Sequence, residues 1–159
     1  MNWQYWQAQL QLEAHPEGGF YRRIYTAATP CETPRGTRPS MTAIHYLLHG
    51  KHQSRWHRLH SDEQWFYHQG CGLRLMSISP SGDLCQHTLT AENPYLCIPA
   101  GYWFCAAVLH HNAEDFALVS CTVTPGFDFA DFELIESGIL AAQYPEHAAE
   151  ILRIRAAGG

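Results

Sequence analysis

The sequence has no cysteine pair at C-x-x-C spacing, no run approaching the ~20 apolar residues of a membrane span, no internal repeat and no low-complexity tract. The first absence excludes a zinc ribbon and a redox dithiol. Cys31, Cys71, Cys85, Cys97, Cys105 and Cys121 are scattered, and nothing local to them supplies the cation or helix start that activates a thiol, so they read as reduced and structural. The opening MNWQYWQAQLQLEAH has neither the basic start nor the apolar run of an export signal, and a cytoplasmic protein is expected. Positive charge is also scarce. Ten Lys and Arg stand against fifteen Asp and Glu, a formal net charge of −5, which leaves no clustered basic face for nucleic acid or an anionic membrane.

What the chain does have is apolar residues, 46% of 159, enough for one domain with a substantial core. Trp3, Trp6, Leu10 and Leu12 recur at partial helical spacing and predict an amphipathic helix over about 3–13, packed on the outside of the main body. His15-Pro16-Glu17-Gly18-Gly19 has the composition of a tight turn, and Phe20 to Tyr25 that of a strand. Residues 27–40 read as an exposed loop. From Met41 to Val123 short β runs alternate with turn residues, Ser79-Pro80-Ser81-Gly82-Asp83 being the clearest hairpin loop. FDFADFEL predicts a last strand or an ordered arm running back over the body, and Pro145 followed by EHAAEILRI a C-terminal helix over about 145–153. The fold class is mainly β, a jelly-roll barrel over about 20–135 with short flanking helices.

The stretch GKHQSRWHRLHSDEQWFYHQG, residues 50–70, reads as strand, turn and strand carrying imidazoles, a carboxylate and aromatic rings. Successive strand side chains point to opposite faces, so His57 shares a face with Leu59, and Glu63 shares one with Trp65 and Tyr67. That inward set suits a pocket for a small organic molecule. Trp56 and Trp103 read as core, and the eleven histidines, spread from His15 to His147, mostly as solvated surface.

HPEGGFYRRIY (15–25), TAIHYLL (42–48), SRWHRLHSDEQWFYHQG (54–70), IPAGYWF (98–104) and CTVTPGFDFADFEL (121–134) together make the chain resemble a cupin, in the branch that carries the HPEGG turn and the PGFDFADFEL tail. The resemblance implies a barrel of six to eight strands, commonly dimeric. A homodimer is expected, with the TPGFDFADFEL arm or an edge strand as its contact. Metal-binding cupins carry two histidines one residue apart, a later glutamate and a further histidine after P-x-G. On this sequence those positions are His57, Leu59, Glu63 and Phe104, so two of four ligands are hydrocarbon.

Three readings stay open. One is a binding protein with a small molecule in a pocket of Tyr21, His57, Glu63, Trp65, Tyr67 and Phe104. Another, by resemblance to the cupin-like sugar-nucleotide epimerases, is a metal-free isomerase with His57 as base, Glu63 as its acidic partner and Tyr67 or Tyr21 as proton donor. The last is a divalent transition-metal site on His57 and Glu63, completed by His45. No other cofactor is expected.

Overall fold

The computed structural model describes residues 1–50 and 52–158, and the alternating runs become two facing antiparallel sheets. One has the order β1 (Glu13–Ala14), β2 (Phe20–Thr26), β5 (Thr42–His49), β12 (Phe116–Thr124), β7 (Asp62–Gly70) and β10 (Tyr95–Ile98). The other has the order β13 (Glu133–Leu134), β6 (His57–Arg58), β11 (Trp103–Val108), β8 (Leu73–Ile78) and β9 (Leu84–Leu89). β1, β6 and β13 are two residues long. The eight longer strands of the two sheets form the jelly roll itself.

Period-two alternation decides what each strand offers the interior. On β5, Tyr46 and Leu48 join the core between the sheets, where they meet Trp65, Phe104, Val119 and Val123. Leu47, of opposite parity, faces out and is covered by the N-terminal helix, where Trp3, Trp6 and Leu10 pack over Leu12, Leu47, Phe116 and Leu118. A third cluster lies on the far side of the second sheet. There Trp56, Met76, Ile78, Trp103 and Cys105 are roofed by Leu140 and Ala141 of α2 (Ser137–Gln143) and Ile151 of α3 (Ala148–Gly158). Leu140 is fully buried, so Leu140→Ala is expected to cost about 3 kcal/mol in a denaturant titration, as for other large-to-small core changes.

Three segments differ from the sequence expectation. Helix α1 covers Trp3–Gln9 and stops short of residue 13, because Gln11 takes a left-handed conformation (φ 53°) and Glu13–Ala14 pairs with β2. Residues 27–40 hold a hairpin rather than an open loop, β3 (Pro30–Thr33) with β4 (Gly36–Pro39). The C-terminal region carries α2, which the sequence reading omitted. Pro145 opens a 3-10 turn (Pro145–His147) that leads into an α3 extending past residue 153.

The β3–β4 hairpin is tied to the FDFADFEL arm by charge. Asp131 is buried and accepts from Arg35 Nε at 3.1 Å and from Arg38 Nε and Nη2 at 2.9 and 3.0 Å. A forked guanidinium on one carboxylate fixes orientation as well as distance. Asp131→Ala is expected to leave the barrel folded and to speed limited proteolysis within residues 30–39; cleavage no faster than in the wild type would contradict this fastening.

Candidate functional site

The site begins with the HPEGG turn. Gly18 and Gly19 have φ of +105° and +80°, and a Cβ on either would lie 2.5 Å from the Gln53 carbonyl oxygen or 2.7 Å from that of Leu47. The two glycines let the backbone press against the barrel wall. Inside the turn, the Glu17 N–H donates to His15 Nδ1 at 3.0 Å, the Tyr46 hydroxyl donates to the Gly18 carbonyl at 2.6 Å, and the Arg55 N–H donates to the Glu17 carbonyl at 2.6 Å. The outcome is a glutamate side chain, 6% exposed, turned into the protein.

Its partner is His57. The His57 Nε2 lies 2.9 Å from Glu17 Oε2, and Nδ1 lies 2.7 Å from the Arg55 carbonyl oxygen, which only a ring N–H can satisfy. Phe104 packs against the imidazole at 4.1 Å between centroids, and Phe132 from the arm at 5.5 Å. The pair forms part of the wall of a cavity of about 340 Å³, which is also lined by Glu63, Trp65, Tyr21 and Leu59, and closed toward the arm by Phe127, Phe129 and Phe132.

Two of the sequence candidates lie elsewhere. His45 has the opposite parity from Ile44 and Tyr46, which face the cavity, and its Nδ1 meets the Ser120 hydroxyl at 3.2 Å on the outer face of the sheet. Tyr67 shares the inward parity of Trp65 but sits farther along β7, where its hydroxyl donates to the Gly70 carbonyl at 2.6 Å. Phe104 backs the His57 ring without lining the cavity. The pairing of His57 is corrected as well: the carboxylate in hydrogen-bond contact with it is Glu17, while Glu63 shares the cavity. Glu17 was hidden because a turn reading assigns its neighbours to the backbone and leaves the acid unexplained. An acid between Pro16 and two glycines was the available signal.

Electrostatics separates the two carboxyls. Burial alone would push Glu17 up, but the charge of His57 and its hydrogen bond outweigh this and hold Glu17 below the ordinary carboxyl range. For His57, burial pushes down, yet the Glu17 charge and bond overcome it and raise the imidazole above 6.5. Glu63 has no charged partner in contact, only a hydrogen bond with the Cys121 thiol that lowers it slightly. Burial, reinforced by the nearby Glu17 charge and offset in part by His57 and the Cys121 bond, pushes it up to about 8. Glu17 is thus held as a carboxylate, both His57 nitrogens face acceptors, the Arg55 carbonyl and Glu17, as those of an imidazolium do, and Glu63 is a carboxylic acid at neutral pH in the same cavity. His15 is lowered, chiefly by burial, and stays neutral, as its acceptance of the Glu17 N–H requires.

The donor set does not fit a metal ion. Both His57 nitrogens are engaged, Leu59 and Phe104 offer hydrocarbon, His45 faces outward, and among the described residues no three His, Cys, Asp or Glu side chains converge as ligands. Nor is any described helix long and apolar enough to cross a membrane.

Comparison with known proteins agrees with this architecture. A hypothetical protein from Leishmania major superposes with a TM-score of 0.89 at 32% identity, over 96% of this chain and 98% of that one. A Shewanella oneidensis protein gives 0.84 at 38% identity, over 96% of both. Oxalate decarboxylase from Bacillus subtilis, at 15% identity and a TM-score of 0.58 over 83% of this chain and 34% of its own, shares the fold alone. No curated protein matches the chain. The model of the cupin superfamily family DUF985 matches residues 4–135, most of the chain, and the protein accordingly belongs to that cupin family.

Proposed function

We propose that the barrel cavity binds a small organic molecule and moves a proton on it without a metal, with Glu17 as base and Glu63 as acid. The observation that carries this reading is the 2.9 Å contact between Glu17 and His57 at the wall of a cavity that also holds Glu63. A protonated imidazole has no lone pair to accept a proton, so the base role passes from His57 to the carboxylate it holds. His57 then acts as a positioning residue, fixing Glu17 and keeping it ionised.

Acid and base are most useful when their environments drive their pKa values apart, and burial with unequal access to His57 does this here. A substrate with a C–H beside a carbonyl suits the pair. Glu17 takes the C–H proton, the C–H electron pair becomes the C=C bond of an enol, and Glu63 gives its proton to the carbonyl oxygen. Glu17 then returns a proton to carbon, the O–H electron pair re-forms the C=O bond and the hydroxyl proton goes back to Glu63, which completes an isomerisation or epimerisation and restores both carboxyls. The cavity is at the small end of ligand pockets, so the reacting part of the ligand is small.

The test is exchange of substrate C–H for deuterium in D2O, followed by NMR over a panel of small carbonyl compounds and sugars. Exchange is expected with the wild type and is expected to fall by about a hundredfold or more in Glu17→Gln, the loss typical of a removed general base. Its pH profile should decline above about 8, where Glu63 ionises, and at low pH where Glu17 takes up a proton. A simple binding role draws on the aromatic lining, Tyr21, Trp65, Phe127, Phe129 and Phe132. It predicts a ligand held tightly with no exchange, and that result would replace the catalytic reading.

A further inference from the structure

His15 lines the barrel cavity, half-buried, in the same turn as Glu17, and the proton transfer proposed above leaves it without a task. Its Nδ1 accepts the Glu17 main-chain N–H at 3.0 Å, and a backbone N–H can only donate, so Nδ1 carries a lone pair. An imidazole with its lone pair on Nδ1 is neutral and has its proton on Nε2. One main-chain bond therefore fixes both the charge and the tautomer of the ring. Burial, which lowers the pKa of His15, works in the same direction.

The Nε2–H so defined has no hydrogen-bond partner among the described residues. Unlike the indole N–H of Trp65 in the same wall, it is not shut off from solvent, so an atom of a ligand in the cavity can reach it. Tyr21 meets the ring edge-to-face at 4.5 Å between centroids, and Tyr46 and Phe132 at 5.9 and 6.1 Å, which holds its plane. The result is a neutral donor of one hydrogen bond, oriented before a ligand arrives. It also stands beside the base. Glu17 is two residues on, and the charges of Glu17 and His57 both act on the His15 ring.

We propose that His15 Nε2–H donates to a hydroxyl oxygen on the carbon from which Glu17 takes its proton, so that the cavity selects small α-hydroxycarbonyl compounds of the sugar type. The carbonyl oxygen is met by Glu63 in that transfer, and the oxygen left for the Glu17 side is one carried by the reacting carbon itself. An uncharged donor suits a neutral oxygen and does not compensate a carboxylate or phosphate. A ligand with hydrogen in place of the hydroxyl leaves the Nε2–H unpaired, and a site built to bond a hydroxyl rejects the analogue that lacks it. The identity of the carbon rests on the proton-transfer reading, whereas the hydrogen bond does not.

NMR titration of the full-length protein with hydroxyacetone, dihydroxyacetone and erythrulose tests it, each compound beside the analogue with hydrogen in place of the α-hydroxyl. Nitrogen-15 spectra of the free protein are expected to show His15 as the Nε2–H tautomer. At least one hydroxy compound is expected to shift the Nε2 resonance and to bind about tenfold more tightly than its analogue, the worth of one hydrogen bond. His15→Asn puts an amide oxygen where Nδ1 accepts from the Glu17 N–H and removes the Nε2–H. It is expected to melt like the wild type and to abolish the tenfold preference, whereas a merely structural role would weaken both compounds alike. The ring resonance is read on the wild type and needs no variant to fold. An Nδ1–H tautomer, no shift with any hydroxy compound, or a preference that survives in His15→Asn would each overturn the proposal. A shift without C–H exchange in D2O would uphold the hydrogen bond and contradict the proton transfer instead.

Discussion

Glu63→Gln is expected to stabilise the protein at pH 7 by about 3 kcal/mol while abolishing proton exchange. The carboxyl titrates at about 8 when folded against 4.5 when free. A group whose pKa is raised by folding adds stability that is complete below its unfolded value and is lost as pH rises through its folded value. Between 4.5 and about 8 the unfolded chain releases this proton and the folded chain keeps it. Each unit of that interval is worth about 1.4 kcal/mol, and some 2.5 units have passed at pH 7. Glutamine has the shape of the neutral acid and no proton to lose, so the variant escapes the penalty. Urea titrations at pH 5 and pH 8 measure it: the variants should be nearly equal at pH 5 and furthest apart at pH 8. A variant that is both less stable and inactive would point to a structural role for the carboxyl.

Glu17→Ala is the second large change, in the opposite direction. It leaves His57 buried at 1% exposure with no counter-charge, and breaking a buried pair from one side costs about 3–5 kcal/mol. The pH window follows from the two shifts. Glu17, lowered by folding, contributes stability above 4.5 that is lost as pH falls through its folded pKa. His57, raised by folding, contributes stability below 6.5 that is lost as pH rises through its folded pKa. The loss in Glu17→Ala is therefore largest between 4.5 and 6.5 and shrinks at alkaline pH. Glu63 should also move back toward its ordinary range, since the Glu17 charge helps raise it. Glu17→Gln, which keeps an oxygen toward His57, should lose less stability while still losing the base.

Much of the barrel was legible because its strands alternate cleanly. EQWFYHQ puts Glu63 and Trp65 on one face by parity alone, and in TAIHYLL parity turns His45 outward once Tyr46 is seen to point in. Tyr67 shows the limit of that rule: parity selects a face, but depth along the barrel decides whether a side chain reaches the cavity. The charged partner of His57 was not readable from the 57–63 motif, because it arrives from a turn forty residues earlier whose approach depends on two left-handed glycines. The β3–β4 hairpin escaped for a similar reason. Its three prolines and Gly36 look like loop composition, while the force that docks it comes from Asp131, nearly a hundred residues away.

The separation of the two carboxyls is the centre of this account, and a carbon-13 NMR titration of glutamate side-chain carboxyls in the folded protein measures it directly. One resonance should titrate near pH 8 and vanish in Glu63→Gln, and another, absent in Glu17→Gln, should remain ionised below the ordinary carboxyl range. A spectrum in which every glutamate titrates near its ordinary value would contradict both the ion pair and the acid it leaves protonated.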